Sequence, residues 1–136
     1  MVIVKISRDK NGLIKKFTLR GHANANVEGK DVFNFAFKFF NLTFEWRVKA
    51  ELKQKDIVCS GVSAIVFTAL GSLEELAGIK NNVLDDGCIE FSLPENIEGE
   101  RLEKAEVILK VMVIGLKMIK GNPSYEKYIS IADEEV

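Results

Sequence analysis

The chain is short of almost every residue on which special architectures depend. Two cysteines among 136 residues cannot make the disulfide framework of a small secreted scaffold, so a reducing cytoplasm is the expected compartment. A single histidine leaves any zinc site to be completed by carboxylates, and no ligand-type pair has metal spacing, so no metal or other cofactor is expected. Lys and Arg number 19 against 20 Asp and Glu, a net charge of −1, which offers nucleic acid no electrostatic handle. No apolar run is read as approaching the roughly 18 residues of a membrane span, and the alternating start Met1–Ser7 lacks a signal-peptide layout. No internal repeat and no second domain are evident, and residues 1–136 read as one domain long enough to bury its own core.

What is present is well ordered. Val2, Val4 and Ile6 alternate, and Asp9-Lys10-Asn11-Gly12 then supplies hairpin chemistry. On the return strand Leu13, Phe17 and Leu19 are expected on one face, with Lys16, Thr18 and Arg20 on the other. That strand runs into Gly21-His22-Ala23 and a polar stretch to Asp31, read as loop. From Ile57 the apolar period becomes helical, with Val58, Val62, Ile65, Ala69, Leu73 and Leu76 as the expected stripe and Gly78 as the stop. Asp56 is a suitable N-cap, which would put Cys59 at the third helical position.

Val83-Leu84, Asp85-Asp86-Gly87 and Cys88–Leu93 read as a second hairpin, closed by Pro94. A second helix is expected from about Glu100 to Lys120, with Leu102, Ala105, Leu109, Met112, Leu116 and Ile119 buried. Met112 and Met118 read as core filler, and Cys88 as structural. A last strand over Tyr125–Ile131 and an acidic tail complete the chain. The predicted class is α+β, an antiparallel sheet with two helices on one face, in the order β-β-α-β-β-α-β.

Between these elements lies a Phe-rich segment, Val32 to Asp56, which holds six of the nine phenylalanines. Phe33, Phe35, Phe37 and Phe39 alternate on one face, and Phe40, Leu42, Phe44, Trp46 and Val48 on the next, as two strands with a bend between them.

The reactive residues allow a nucleophile and a base. A thiol is mostly protonated at neutral pH, and the first turn of a helix, with its unpaired N–H groups, favours the thiolate at Cys59. The same N–H groups suit the oxyanion of an acyl intermediate. His22, at the end of a strand, has the right intrinsic pKa to take the thiol proton and return it to a leaving amine. Asp56 either orients His22 or only caps the helix, and Ser63 lies one turn after Cys59 on the same face. Composition and spacing are equally consistent with a core cysteine and a surface histidine.

Gly21-His22-Ala23 followed by Asp56-Ile57-Val58-Cys59-Ser60-Gly61-Val62-Ser63-Ala64 resembles the ribosomal-processing cysteine protease family, Prp. Its pattern is Gly-His-Ala, a flexible Gly-containing loop, then Asp-Ile-Val-Cys-Ala-Ala-Val-Ser. The resemblance implies a cytoplasmic endopeptidase, usually a homodimer. It acts on a bacterial large-subunit ribosomal protein, number twenty-seven, and removes its N-terminal extension after a Phe-Phe pair. It also implies Cys59 as nucleophile and His22 as base, with Asp56 and Ser63 supporting and Gly21 and Gly29 in the loop. Lys30-Asp31 and Lys55-Asp56 bracket the Phe-rich segment, and removing residues 32–56 restores an uninterrupted family motif, Lys-Asp-Ile-Val-Cys. The segment therefore reads as an insertion in the active-site loop. The alternative reading is a catalytically silent relative whose Phe-rich segment mediates self-association or partner binding.

Overall fold

The computed structural model describes residues 1–21, 54–85 and 88–135; the Phe-rich strands expected over 33–48 fall outside them. The elements run β1 (Val2–Arg8), β2 (Ile14–Arg20), α1 (Gln54–Ala77), β3 (Asn82–Asp85), β4 (Cys88–Ser92), α2 (Gly99–Lys120), a short 3-10 turn (Glu126–Tyr128) and β5 (Ile129–Glu135). The five strands form one sheet in the order β3-β4-β2-β1-β5. This is the expected α+β class and element order, with the interrupting segment set aside.

The first hairpin is held by its own turn residues. The Asp9 carboxylate accepts from the backbone N–H of Asn11 (2.9 Å) and Leu13 (3.0 Å), and Gly12 takes the positive φ of 83° that the turn needs. Between Ser7 and Arg8 the register shifts, so that Ser7 faces Lys16 while Arg8 faces Ile14. Lys15 is the extra residue of this bulge. Its effect corrects the expected pattern: Ile14, not Leu13, joins Phe17 and Leu19 on the buried face. The bulged Lys15 carbonyl instead accepts from the N–H of Leu93 at 2.7 Å.

Three strand pairings are antiparallel, as expected, and the fourth is parallel: β5 lies beside β1, with Val2 opposite Ile129 and Arg8 opposite Glu135. The last strand starts later than predicted and takes in the supposed acidic tail. Charge pairing explains this. Arg8 grips Asp133 with two nitrogens, at 2.7 and 3.1 Å, and Lys117 approaches the same carboxylate at 3.7 Å.

One face of the sheet is buried under the helices. Val2, Val4, Ile6, Phe17, Leu19, Ile89, Phe91 and Ile129 belong to the core, whereas Ile3, Lys5, Lys16 and Arg20 are exposed. Phe17 and Phe91, opposite each other across β2 and β4, stack with ring centres 5.3 Å apart. Burying side chains of this size is worth on the order of 2 kcal/mol each, which fixes the register of the central strands.

The helices run antiparallel to each other. At Gly61 an added Cβ would sit 3.4 Å from Ile119 Cδ1, and at Gly115 one would sit 3.2 Å from Ile65 Cδ1. The missing side chain at Gly115 is thus what lets Ile65 lie against α2. Gly78 ends α1 in the left-handed conformation, as expected, with its N–H on Glu74 and the Ile79 N–H on Leu73. Arg101 of α2 satisfies the carbonyls of Ala77 and Gly78 at 2.9 and 3.1 Å, tying the end of one helix to the start of the other.

The expected stripes need two corrections. In α1 the buried row is Val58, Val62, Val66, Ala69, Leu70, Leu73 and Ala77, and Leu76 is exposed because the row drifts around a helix of 24 residues. In α2 Val113 joins Ala105, Leu109, Met112 and Leu116, whereas Met118 is exposed and is not core filler. Contrary to the expectation that no run approaches a membrane span, Ile57–Ala77 is by length and composition apolar enough to cross a bilayer. Half of that window is buried inside the fold, as befits the core helix of a two-layer domain.

Candidate active site

The structure places Cys59 in α1, 7% exposed, with Val58 and Val62 beside it in the core. Ser63 follows one turn later and is also buried. Ser60, between them, is fully buried, and its hydroxyl has no hydrogen-bond partner among the described residues. His22 and Gly29 lie outside the described residues. So does any contact of the Asp56 side chain, although its backbone belongs to α1.

The start of α1 corrects one expectation. Gln54 to Asp56 are already helical, so Asp56 stands inside α1 instead of capping it, and Cys59 lies beyond the third helical position. Gln54 and Lys55 are good helix formers. The chemistry changes with the geometry. In such a helix the Cys59 N–H is bonded to the carbonyl four residues back. It is therefore not one of the free N–H groups expected to hold an oxyanion.

Gly21 is the point where the sheet hands the chain to residue 22. It follows β2, the central strand, with φ +91°. A Cβ there would collide with the carbonyl oxygen of Met1, so only glycine allows this turn over the start of β1. The loop assignment of Gly21 thus acquires a physical cause.

A series of contacts relates this turn to Cys59. Gly61, two residues after Cys59, lies against Ile119 at the end of α2. Lys120, the next residue, donates from Nζ to the carbonyls of Glu126 and Ile129 at 2.9 Å each. Ile129 is opposite Val2 in the sheet, and Val2 Cα would lie 3.5 Å from a Cβ at Gly21. The N-terminal turns of α1 and the exit of β2 are therefore at the same end of the molecule. Cys88 is at that end too, paired with Arg20 in the register. It is half-buried, and it alternates with the core residue Ile89, so it points to the opposite face of the sheet.

Two things escaped sequence reasoning here. The buried, unpaired hydroxyl of Ser60 was read only as part of a motif, though a serine within an apolar helical stretch is itself a signal. The role of Met1 and Val2 as the wall behind Gly21 had no local signal, because the contact joins residues far apart in sequence.

Comparison with known proteins places the chain in a family. Residues 48–130 match the family model of cysteine protease Prp, a range that includes Asp56 to Ser63 and excludes His22. The ribosomal processing cysteine protease Prp of Bacillus subtilis (strain 168) is 27% identical over 123 residues, with 88% of each chain covered. Among solved structures, the essential ribosomal processing protease Prp from S. aureus, in complex with a substrate peptide, superposes with a TM-score of 0.68 at 19% identity. That match covers 98% of this chain and all of the other. SMU.848 from Streptococcus mutans gives the same TM-score and identity, with 100% and 99% covered. The two structures show a shared fold, and the family model spans more than half of the chain: this protein belongs to the Prp family of cysteine proteases.

Proposed function

We propose that the protein is a ribosomal-protein-processing endopeptidase that attacks with Cys59 and uses His22 as its base. The observation that carries the proposal is the convergence at one end of the fold. The Asp56–Ser63 motif lies in the family-matched range, and the strand leading to His22 ends at Gly21, at the same end as Cys59.

In this reading His22 takes the Cys59 proton, the thiolate attacks the scissile carbonyl, and the imidazolium protonates the leaving amine. Water then releases the acyl group and regenerates the thiol. Ser63, on the Cys59 face of α1, supports the nucleophile, and Asp56 supports it through its charge at the helix start. The substrate is the N-terminal extension of a bacterial large-subunit ribosomal protein, number twenty-seven, cut after Phe-Phe in the cytoplasm. Residues 32–56 are an insertion in the active-site loop, and the working unit is a homodimer. An insertion there is tolerable because closing a longer surface loop costs only about 0.6 kcal/mol per doubling of its length.

The test is cleavage of a peptide with an Asn-Leu-Gln-Phe-Phe-Ala junction by the intact chain, by Cys59→Ala and by a chain lacking 32–56. Cleavage that is lost in Cys59→Ala supports the proposal. Cleavage only after the deletion supports the site and makes the segment a block. No cleavage by either form overturns the reading in favour of a silent relative.

A further inference from the structure

The two edges of the sheet are finished differently. β5, at one edge, carries Asp133, Glu134 and Glu135, and charges on an edge keep a foreign strand away. β3, at the other edge, has no charge before its last residue, Asp85. Val83 and Leu84 are 63 and 47% exposed there. They lie on opposite faces of the sheet, Val83 beside Glu90 and Leu84 beside the core residue Ile89.

Among the described residues no strand lies outside β3, and the ladder shows which of its backbone groups point outward. The Ser92 N–H bonds to the Asn81 carbonyl at 3.2 Å, while the Leu93 N–H turns the other way, to the carbonyl of Lys15 in β2. Hydrogen-bonded pairs alternate along an antiparallel ladder, so within β3 Val83 and Asp85 are the residues bonded to β4. The N–H and C=O groups of Asn82 and Leu84 therefore face outward, where an added strand would bind them.

This edge is on the Cys59 side of the molecule. α2 packs against β5 and forms one layer with α1, so α1 lies towards β3. Gly61 meets α2 through Ile119, and side chains two residues apart on a helix point in roughly opposite directions. Cys59 thus faces away from α2, towards the β3 edge. The end of β3 at Asp85 is also the end of the sheet where Cys88, Arg20 and Gly21 lie.

The features of the edge select a peptide as its occupant. A stable pair of copies buries about 1,200–2,000 Å², far more than a strand of four residues offers. An uncharged edge gives a polyanion no hold. Consecutive apolar residues on opposite faces suit an extended chain that carries apolar side chains on both of its own faces.

We propose that the free edge of β3 takes an extended apolar peptide as an added strand and leads it to Cys59. The inference rests on the protease reading and deepens it, by naming where the substrate docks.

Binding of the labelled Asn-Leu-Gln-Phe-Phe-Ala junction peptide to Cys59→Ala, followed by fluorescence anisotropy, tests it. Methylating the peptide's backbone nitrogens one at a time should weaken binding about tenfold at every second residue and little between. Leu84→Pro removes an outward N–H and no bond within the sheet, and it should weaken binding about tenfold with far-UV circular dichroism unchanged. Leu84→Lys, which leaves the backbone intact, should do the same through its charge. In the chain that retains Cys59, both should raise KM and leave kcat. Absence of binding, methylation effects without a period of two, or indifference to both Leu84 variants would overturn the proposal. So would a changed oligomeric state at unchanged peptide affinity, which gives the edge to a second copy, or binding only after removal of 32–56, which gives it to that segment. Cleavage with an unchanged KM in both variants leaves the protease and overturns the edge. Period-two binding by a native chain that does not cleave leaves the edge and overturns the protease.

Discussion

α1 and α2 form a single layer over the sheet and are nearly equal in length, yet they break the inside–outside rule in opposite directions. α1 buries hydroxyls: Ser60 and Ser63 are inside, next to Cys59. α2 exposes apolar side chains: Val107, Val111, Ile114 and Met118 face solvent. Stability alone would favour neither. A buried hydroxyl without a partner costs roughly 1–3 kcal/mol, and an uncovered apolar row forgoes its transfer energy to the core. The two departures are thus the places where these helices differ from what stability alone selects.

The sharpest way to break this comparison is to remove the nucleophile. Cys59→Ala should lower peptide cleavage by about 1,000-fold or more while leaving the circular dichroism unchanged. If the rate survives, α1 carries no chemistry. A second contrast separates the two faces of α2. Leu116→Ala, on the buried face, should cost about 2–5 kcal/mol in denaturant unfolding. Ile114→Ala, on the outer face, should change unfolding of the isolated monomer by about 0.5 kcal/mol or less. Equal losses would mean that the outer row is part of the subunit core.

Ser60→Ala sharpens the comparison from the other side. Alanine removes a buried hydroxyl that has no partner among the described residues and improves helix propensity, so stability should rise by about 1 kcal/mol with cleavage unchanged. The family pattern itself has alanine at this place. A fall in cleavage with stability intact would assign Ser60 to the site.

The smallest expected effect concerns the pin that holds β5. The guanidinium of Arg8, hydrogen-bonded to Asp133, holds that carboxylate below its usual range, with Lys117 adding to the effect. A depressed carboxylate contributes stability above its unfolded pKa of about 3.9, and loses it as the pH falls through the lower folded value. Asp133→Asn should therefore cost about 0.5–1 kcal/mol at neutral pH, and the native and variant unfolding curves should converge in strong acid.

Much of this molecule was legible in its residues. Alternation in Val2–Ile6, the Asp9–Gly12 turn and Gly78 located the first hairpin and the end of α1, because those signals act within a few residues. The misreadings share a cause in longer-range contacts. The Lys15 bulge depends on how β2 pairs with β1, and nothing in Leu13-Ile14-Lys15 alone chooses which leucine or isoleucine turns inward. The acidic tail became a strand because Arg8, at the other end of the chain, supplies its counter-charge. Met118 has the right spacing for an apolar face but belongs to the wrong one, and spacing cannot say which of two faces meets the core. At the site, the apolar period put Cys59 and Ser63 on one helix, where the structure has them. It did not reveal that Lys55 and Asp56 already belong to that helix, which removes the Cys59 N–H from the list of oxyanion donors.

The parallel pairing of β1 with β5 also bears on how the chain is made. Val2 is made well before its partner Ile129, which lies 127 residues further along the chain. Until then β1 presents an unpaired edge, and Arg8 waits for Asp133. Such long-range closure slows folding and leaves an open strand template during synthesis. This edge of the sheet is thus sealed only by residues far along the chain, after both helices between them have been made.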